Sequence, residues 1–139
     1  MSVVPRELLE LGDSLAAGDS AVEHRTAINR WYFANHNLAV VQTAKALRGY
    51  QARGDGSDHA GVIRALRSSK FKSIAMLLEP LREARGHADY HLDAANEGIP
   101  CRWCEGHVGG ERESMEFTAA DLDALRAVAH KCFSRIASM

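Results

Sequence analysis

Three observations predict an all-α fold. Alanine and leucine abound, while prolines number three and aromatic residues make up 6% of the chain, a composition that favours helix over sheet. Apolar residues recur at three- and four-residue steps in successive segments. No alternating apolar–polar run of useful length, internal repeat or low-complexity tract interrupts them. The expected architecture is an antiparallel, up-down helical bundle of about five helices, a single domain over residues 1–139.

The elements follow in order. Pro5 sits at a first helical turn and opens a helix to about Ala17, before Gly18. Leu8, Leu11 and Leu15 form its apolar stripe. Ser20 and Glu23 make a capping box for a long helix to about Gly49, where the glycine supplies the stop. One stripe of that helix is Ile28, Trp31, Tyr32, Asn35, Leu38, Ala39 and Gln42; the opposite side holds Val22, Phe33, Val40 and Leu47. A helix apolar on two sides belongs at the centre of a bundle. Asn35 and Gln42 need hydrogen-bond partners if they are buried.

Residues 49–58 read as a polar, glycine-bearing loop. Ser57 or Asp58 then caps a short helix, His59 to about Arg67. A further helical element begins near Phe71. Pro80 either kinks it or starts it anew, and a near-continuous element to about Ala95 is expected. Residues 101–116 form a second polar loop. Thr118, with Asp121 three residues on, opens the last helix, whose buried face is Leu122, Leu125, Val128, Ala129, Cys132, Phe133 and Ile136.

The bulk properties narrow the function classes. The formal net charge is −1, so no global basic field marks a nucleic-acid binder and any such surface is a local patch. Arg64, Arg67, Lys70 and Lys72 form one cluster without an acid among them; it reads either as a solvated face or as a strand-guiding patch. No apolar run reaches membrane-spanning length, and the start carries no basic-then-apolar signal pattern. Three cysteines, an odd number, suit a reducing compartment better than a disulfide framework. A cytoplasmic protein is expected.

The segment Leu81 to Leu92 carries the candidate chemistry. Arg85 and His91 have five residues between them. Arginine is a permanent cation that grips phosphate with two donors, and histidine exchanges a proton near neutral pH. On a helix turning about 100° per residue, the stripe Leu81, Ala84, Ala88, Leu92, Ala95 is flanked by Arg85 on one side and His91 on the other. Within one chain these two side chains diverge; a second copy across a two-fold axis brings both pairs around one cleft. In such a cleft a neutral His91 would be placed to take the proton from an RNA 2′-hydroxyl and Arg85 to stabilise the five-coordinate phosphate, with no metal required. The alternatives are a helix-end histidine bound to backbone and an Arg85–Asp89 pair one turn apart.

Metal-ligating residues also occur. Cys101, Cys104 and His107 share one loop, and Cys-x-x-Cys is half of a zinc site. A structural zinc needs a fourth ligand, for which His91, His130 and Cys132 are candidates; without that mate, no cofactor is the favoured reading. His87 and His91 share a helix face at metal-binding spacing, but no third ligand accompanies them. Tyr90 lies opposite the buried stripe and is expected to be exposed.

Three blocks resemble the small prokaryotic HEPN-domain proteins in order: Ala27 to Ala34 (AINRWYFA), His59 to Ile63 (HAGVI), and Leu78 to Tyr90, which ends in Arg-x-x-Ala-Asp-Tyr. The likeness covers roughly residues 20–95, and the closing helix suits it. It implies an up-down helical bundle and a homodimer. In many members it further implies a metal-independent ribonuclease, often a toxin of a toxin–antitoxin pair or a phage-defence protein. The family signature is an arginine followed a short stretch later by a histidine, which Arg85 and His91 satisfy. Arg67, Lys70, Lys72 and Arg82 are the accompanying candidates for RNA contact. One departure is Gly86, where active members carry a polar residue directly after the arginine. Other members with an Ala-Asp-Tyr block act without catalysis, as nucleotide-binding modules or partners of a nucleotidyltransferase or antitoxin.

Overall fold

The computed structural model describes residues 2–90 and 116–139. These residues form five helices: α1 (Pro5–Ala16), α2 (Ala21–Ala46), α3 (Asp58–Arg67), α4 (Lys72–Tyr90) and α5 (Ala119–Ala137). No strand occurs among the described residues, and no helix there is long and apolar enough to cross a membrane. The all-helical expectation holds.

α2 packs against all four other helices and supplies the centre of the core with Ile28, Trp31, Tyr32, Ala34 and Ala39, all fully buried. Leu66 of α3, Leu78 and Leu81 of α4 and Ile136 of α5 close around it. Each such aliphatic side chain contributes about 1.5–3 kcal/mol of burial free energy. The two-sided apolar pattern of α2 thus has its physical cause in neighbours on every side. Val22 is the exception: it is 74% exposed.

The N-terminal caps at Ser20 and Thr118 form as the sequence predicts. Ser20 Oγ accepts from the Glu23 amide at 3.1 Å, and Thr118 Oγ1 accepts from the Asp121 amide at 3.1 Å. Both acids return the contact to the cap residue's amide, satisfying donors that a helix start leaves open.

Several expectations are corrected. α1 buries Leu9 and Gly12, with Leu8 and Leu15 only half-buried and Leu11 44% exposed. The reason is close approach: a Cβ at Gly12 would lie 2.5 Å from Trp31 Cδ1. The missing side chain therefore selects the face that meets α2. α2 ends at Ala46, before Gly49, as Leu47 turns to extended backbone at φ −120° and ψ 109°; Gly49 does not make the stop. Neither Ser57 nor Asp58 caps α3 with its side chain. Asp58 is the first helical residue, and its carboxylate reaches back to accept from the amides of Arg53 and Gly54, each at 2.8 Å. It thereby closes the turn that Gly54 makes with φ +77°, a conformation glycine adopts without a Cβ penalty. The near-continuous element expected across Pro80 does form: Pro80 lies inside α4 without dividing it. The expected end of that element near Ala95 lies outside the described residues.

Buried polar groups join the helices. Asn35 donates to the carbonyls of Trp31 at 2.9 Å and Ala129 at 3.2 Å, which ties α2 to α5. Arg25, near the start of α2, donates to the carbonyls of His87 at 3.2 Å and Ala88 at 2.9 Å. Its other nitrogens hold the Glu116 carboxylate in a two-pronged contact at 3.1 and 3.3 Å, geometry that suits arginine and not lysine.

Candidate functional site

The candidate cluster lies where α2, α3 and α4 meet. Tyr32 and His36 are four residues apart on α2, hence on one face. α3 brings His59 against them. The Tyr32 hydroxyl and His59 Nδ1 share a hydrogen bond of 2.6 Å, and the His59 ring stacks on that of His36 with centroids 4.2 Å apart. Phe33 closes one edge, with its ring perpendicular to that of His36.

Arg85 reaches this cluster from α4. Its guanidinium carbon lies 5.2 Å from the Tyr32 ring centroid, 5.7 Å from that of Phe33 and 5.9 Å from that of Tyr90. Such cation–aromatic contacts hold the guanidinium plane in place. Arg85 Nη1 also donates to Asp89 Oδ2 at 3.3 Å, so the pair one turn apart does form. Asn29 in turn donates to both Asp89 oxygens. The Arg85 side chain is 15% exposed, and its Nε is buried with no hydrogen-bond partner among the described residues; His36 Nδ1 shares that condition.

The electrostatics of the cluster follow from burial and from two arginines. Burial first, then the neighbouring His59, push His36 down to about 4; Asp58 pulls the other way, and the charges of Arg85 and Arg82 add to the lowering. Burial and the same two arginines lower His59, with Asp58 again opposing. Both imidazoles are therefore neutral at pH 7. Burial lifts Tyr32 to about 12 despite the arginines, so its phenol keeps its proton. Two neutral imidazoles beside fixed cations are chemically able to accept a proton and to receive an anion.

Neither a family model, a curated protein nor a solved structure matches this chain. The chemistry is therefore argued from the residues.

The other sequence-derived candidates divide. His91, Cys101, Cys104 and His107 lie outside the described residues. Arg82 is half-buried on α4, and its charge acts on Tyr32, His36 and His59. Arg67 pairs with Glu79, Lys70 sits over the Phe71 ring at 5.3 Å, and Lys72 is exposed. Of the two described zinc-ligand candidates, Cys132 is fully buried in the core with its thiol pushed up to about 12 by burial, and His130 contacts Asp13 at 2.9 Å. His87 is buried with its ring edge-on to Phe117, so it points into the bundle and does not offer a surface ligand beside His91. Among the described residues no three His, Cys, Asp or Glu side chains gather as a metal group.

An open groove elsewhere is lined by Asp13, His24, Trp31, Asp123 and Arg126. Its Asp13 is occupied structurally: it accepts from Trp31 Nε1 at 3.0 Å and Arg126 Nε at 3.1 Å, besides the His130 contact.

Sequence reasoning placed Tyr32 in the core and His59 at a helix start but did not join them, and it passed over His36. The available signal was the Tyr-x-x-x-His spacing on one face of α2. The meeting with His59 depends on packing across helices.

Proposed function

We propose that the chain is a HEPN-like, metal-independent endoribonuclease of toxin or defence type. It works in the cytoplasm as a homodimer with an up-down helix arrangement and cuts single-stranded RNA. The observation that carries this reading is Arg85, a cation braced by aromatic rings and Asp89 at the edge of a cluster of neutral imidazoles. A preorganised guanidinium of this kind is what charge building on a phosphate requires.

The reaction assigned to it is an internal transfer. His91 removes the proton from a ribose 2′-hydroxyl as that oxygen attacks the adjacent phosphorus. Arg85 neutralises charge on the non-bridging oxygens. The bond from phosphorus to the 5′-oxygen breaks, and the leaving oxygen takes a proton from the imidazolium. The products are a 2′,3′-cyclic phosphate end and a 5′-hydroxyl end. Arg67, Lys70, Lys72 and Arg82 guide the strand through phosphate contacts.

A second reading rests on the Arg85–Asp89 ion pair and on Gly86. An arginine already paired within its own helix suits a catalytically inactive dimer that binds a nucleotide, a nucleotidyltransferase or an antitoxin. Incubation with single-stranded RNA in a chelator separates the two. Cleavage that leaves cyclic phosphate ends and is lost in Arg85→Ala and His91→Ala supports the enzyme. A folded dimer that leaves RNA intact supports the binding module.

A further inference from the structure

We propose that α3 is an acid-released latch: protonation of the stacked His36–His59 pair frees α3 from α2 and melts it, while the rest of the bundle stays folded. The device goes beyond the ribonuclease reading, because it needs neither RNA, His91 nor a second subunit.

The contact between α2 and α3 is built around two rings that hold no place for an added charge. His36 and His59 stack with 4.2 Å between centroids. His36 is buried, and its Nδ1 has no hydrogen-bond partner among the described residues. A protonated imidazole donates from both nitrogens, so charging His36 adds a buried donor without an acceptor. A neutral His59 can accept at Nδ1 from the buried Tyr32 hydroxyl, 2.6 Å away. A protonated His59 can only donate there, which turns the phenol into the acceptor and leaves its own buried proton unplaced. Either event also sets a cation against the partner ring.

The neighbouring groups do not relieve that charge. From α4, Arg82 and Arg85 oppose protonation of both rings, and the Arg85 guanidinium lies over Tyr32 and Phe33 in the same cluster. From α3, Asp58 favours protonation, but its two oxygens already hold the Arg53 and Gly54 amides, each at 2.8 Å. Tyr32 on α2 and Tyr50 in the segment before α3 keep their protons through burial. The element that gives way is α3. With ten residues it is the shortest of the five helices, a length that is marginal without tertiary contacts, and no side chain caps its start. Its anchors are Val62, Ile63 and Leu66, with Arg67 paired to Glu79 of α4 at the far end. α2, α4 and α5 pack directly on one another, so their core persists when α3 leaves. Because Tyr32 also lies beneath Arg85, opening unseats that cation; this consequence for cleavage rests on the ribonuclease reading, and the opening itself does not.

The test is native-state hydrogen exchange of the full chain at pH 7.5 and pH 5, with low urea as a second variable and rates corrected for the intrinsic effect of pH. At pH 5 the α3 amides are expected to exchange through an opening that sub-denaturing urea leaves unchanged, while the α5 amides follow the urea slope of global unfolding. The α3 opening equilibrium is expected to rise about twentyfold from pH 7.5 to pH 5, because His36 ionises at about 4 when closed and near 6.5 once released. The double variant His36→Gln, His59→Gln is expected to abolish that rise, and His24→Gln, near the start of α2, to keep it. Equal opening free energies and urea slopes for α3 and α5 at both pH values overturn the latch, and so does a rise that persists in the double variant. Should the double variant not fold, the comparison of α3 with α5 in the unaltered chain decides alone. If α3 opens with acid while RNA stays intact at every pH, the ribonuclease reading falls and the latch stands. If RNA is cut while α3 and α5 open only together, the reverse holds.

Discussion

The imidazoles of His36 and His59 are stacked, with 4.2 Å between centroids and 24° between ring planes, and α2 and α3 meet through them. Protonating either ring places a cation against its partner and near Arg82 and Arg85. Only Asp58, itself held by backbone amides, opposes this.

That stack makes stability pH-dependent. His36 ionises at about 4 in the folded chain but near 6.5 when unfolded, so the unfolded state binds protons first as pH falls. The contribution is fully present above about pH 6.5 and is lost progressively towards pH 4, on the order of 2 kcal/mol; His59 acts in the same direction. Urea unfolding at pH 7.5 and pH 5 is expected to show this loss. A His36→Gln chain that keeps the full loss would disprove the assignment.

Gly12 is expected to tolerate no larger residue. The Cβ of Gly12→Ala meets the Trp31 indole, which is fixed by its bond to Asp13, so the helices must separate. Overpacking of this kind costs about 1–3 kcal/mol. Thermal melting reads it directly, and an unchanged midpoint would show that α1 can slide.

Asp13 ties α1 to α2 and α5. Burial favours its protonation, but the bonds from His130 and Trp31 and the charges of His130 and Arg126 outweigh that and hold the carboxyl below its ordinary value. The sign is opposite in origin to that of His36 but the same in direction: stability is present above about pH 4 and lost as acid protonates the group. Asp13→Asn is expected to lower stability at pH 7 by about 1–2 kcal/mol and to flatten the acid limb of the stability profile.

Arg85→Lys separates charge from shape. Lysine keeps the cation but loses the planar fork that lies over Tyr32 and Phe33. Under the proposed chemistry, RNA cleavage is expected to fall about a hundredfold with unfolding nearly unchanged. Full activity in this variant would mean that a point charge suffices.

The fold was legible where local chemistry decides it. Ser20 with Glu23, and Thr118 with Asp121, announce helix starts in the sequence and form as such. Leu122, Leu125 and Ile136 mark a buried stripe that tertiary packing respects. Legibility failed where a contact between distant residues sets the outcome. Gly12 turns α1 away from Leu11 because Trp31 occupies the space, and nothing adjacent in sequence says so. Asp58 looks like a cap, yet its carboxylate serves the preceding turn. Arg85 was readable as a candidate together with its partner Asp89 and the exposed Tyr90. The imidazole pair was not, since His36 and His59 belong to different helices and periodicity within either one is silent about the other.

Arg25 has a consequence for how this chain can change. It clamps the His87 and Ala88 carbonyls and the Glu116 carboxylate with one guanidinium, so the chain leaves α4 and returns ahead of α5 at a single fastened gateway. The end of α4 and the residue that leads into α5 are thus fastened by one side chain, so that losing Arg25 releases both together and leaves the buried His87 and Ala88 carbonyls without these donors.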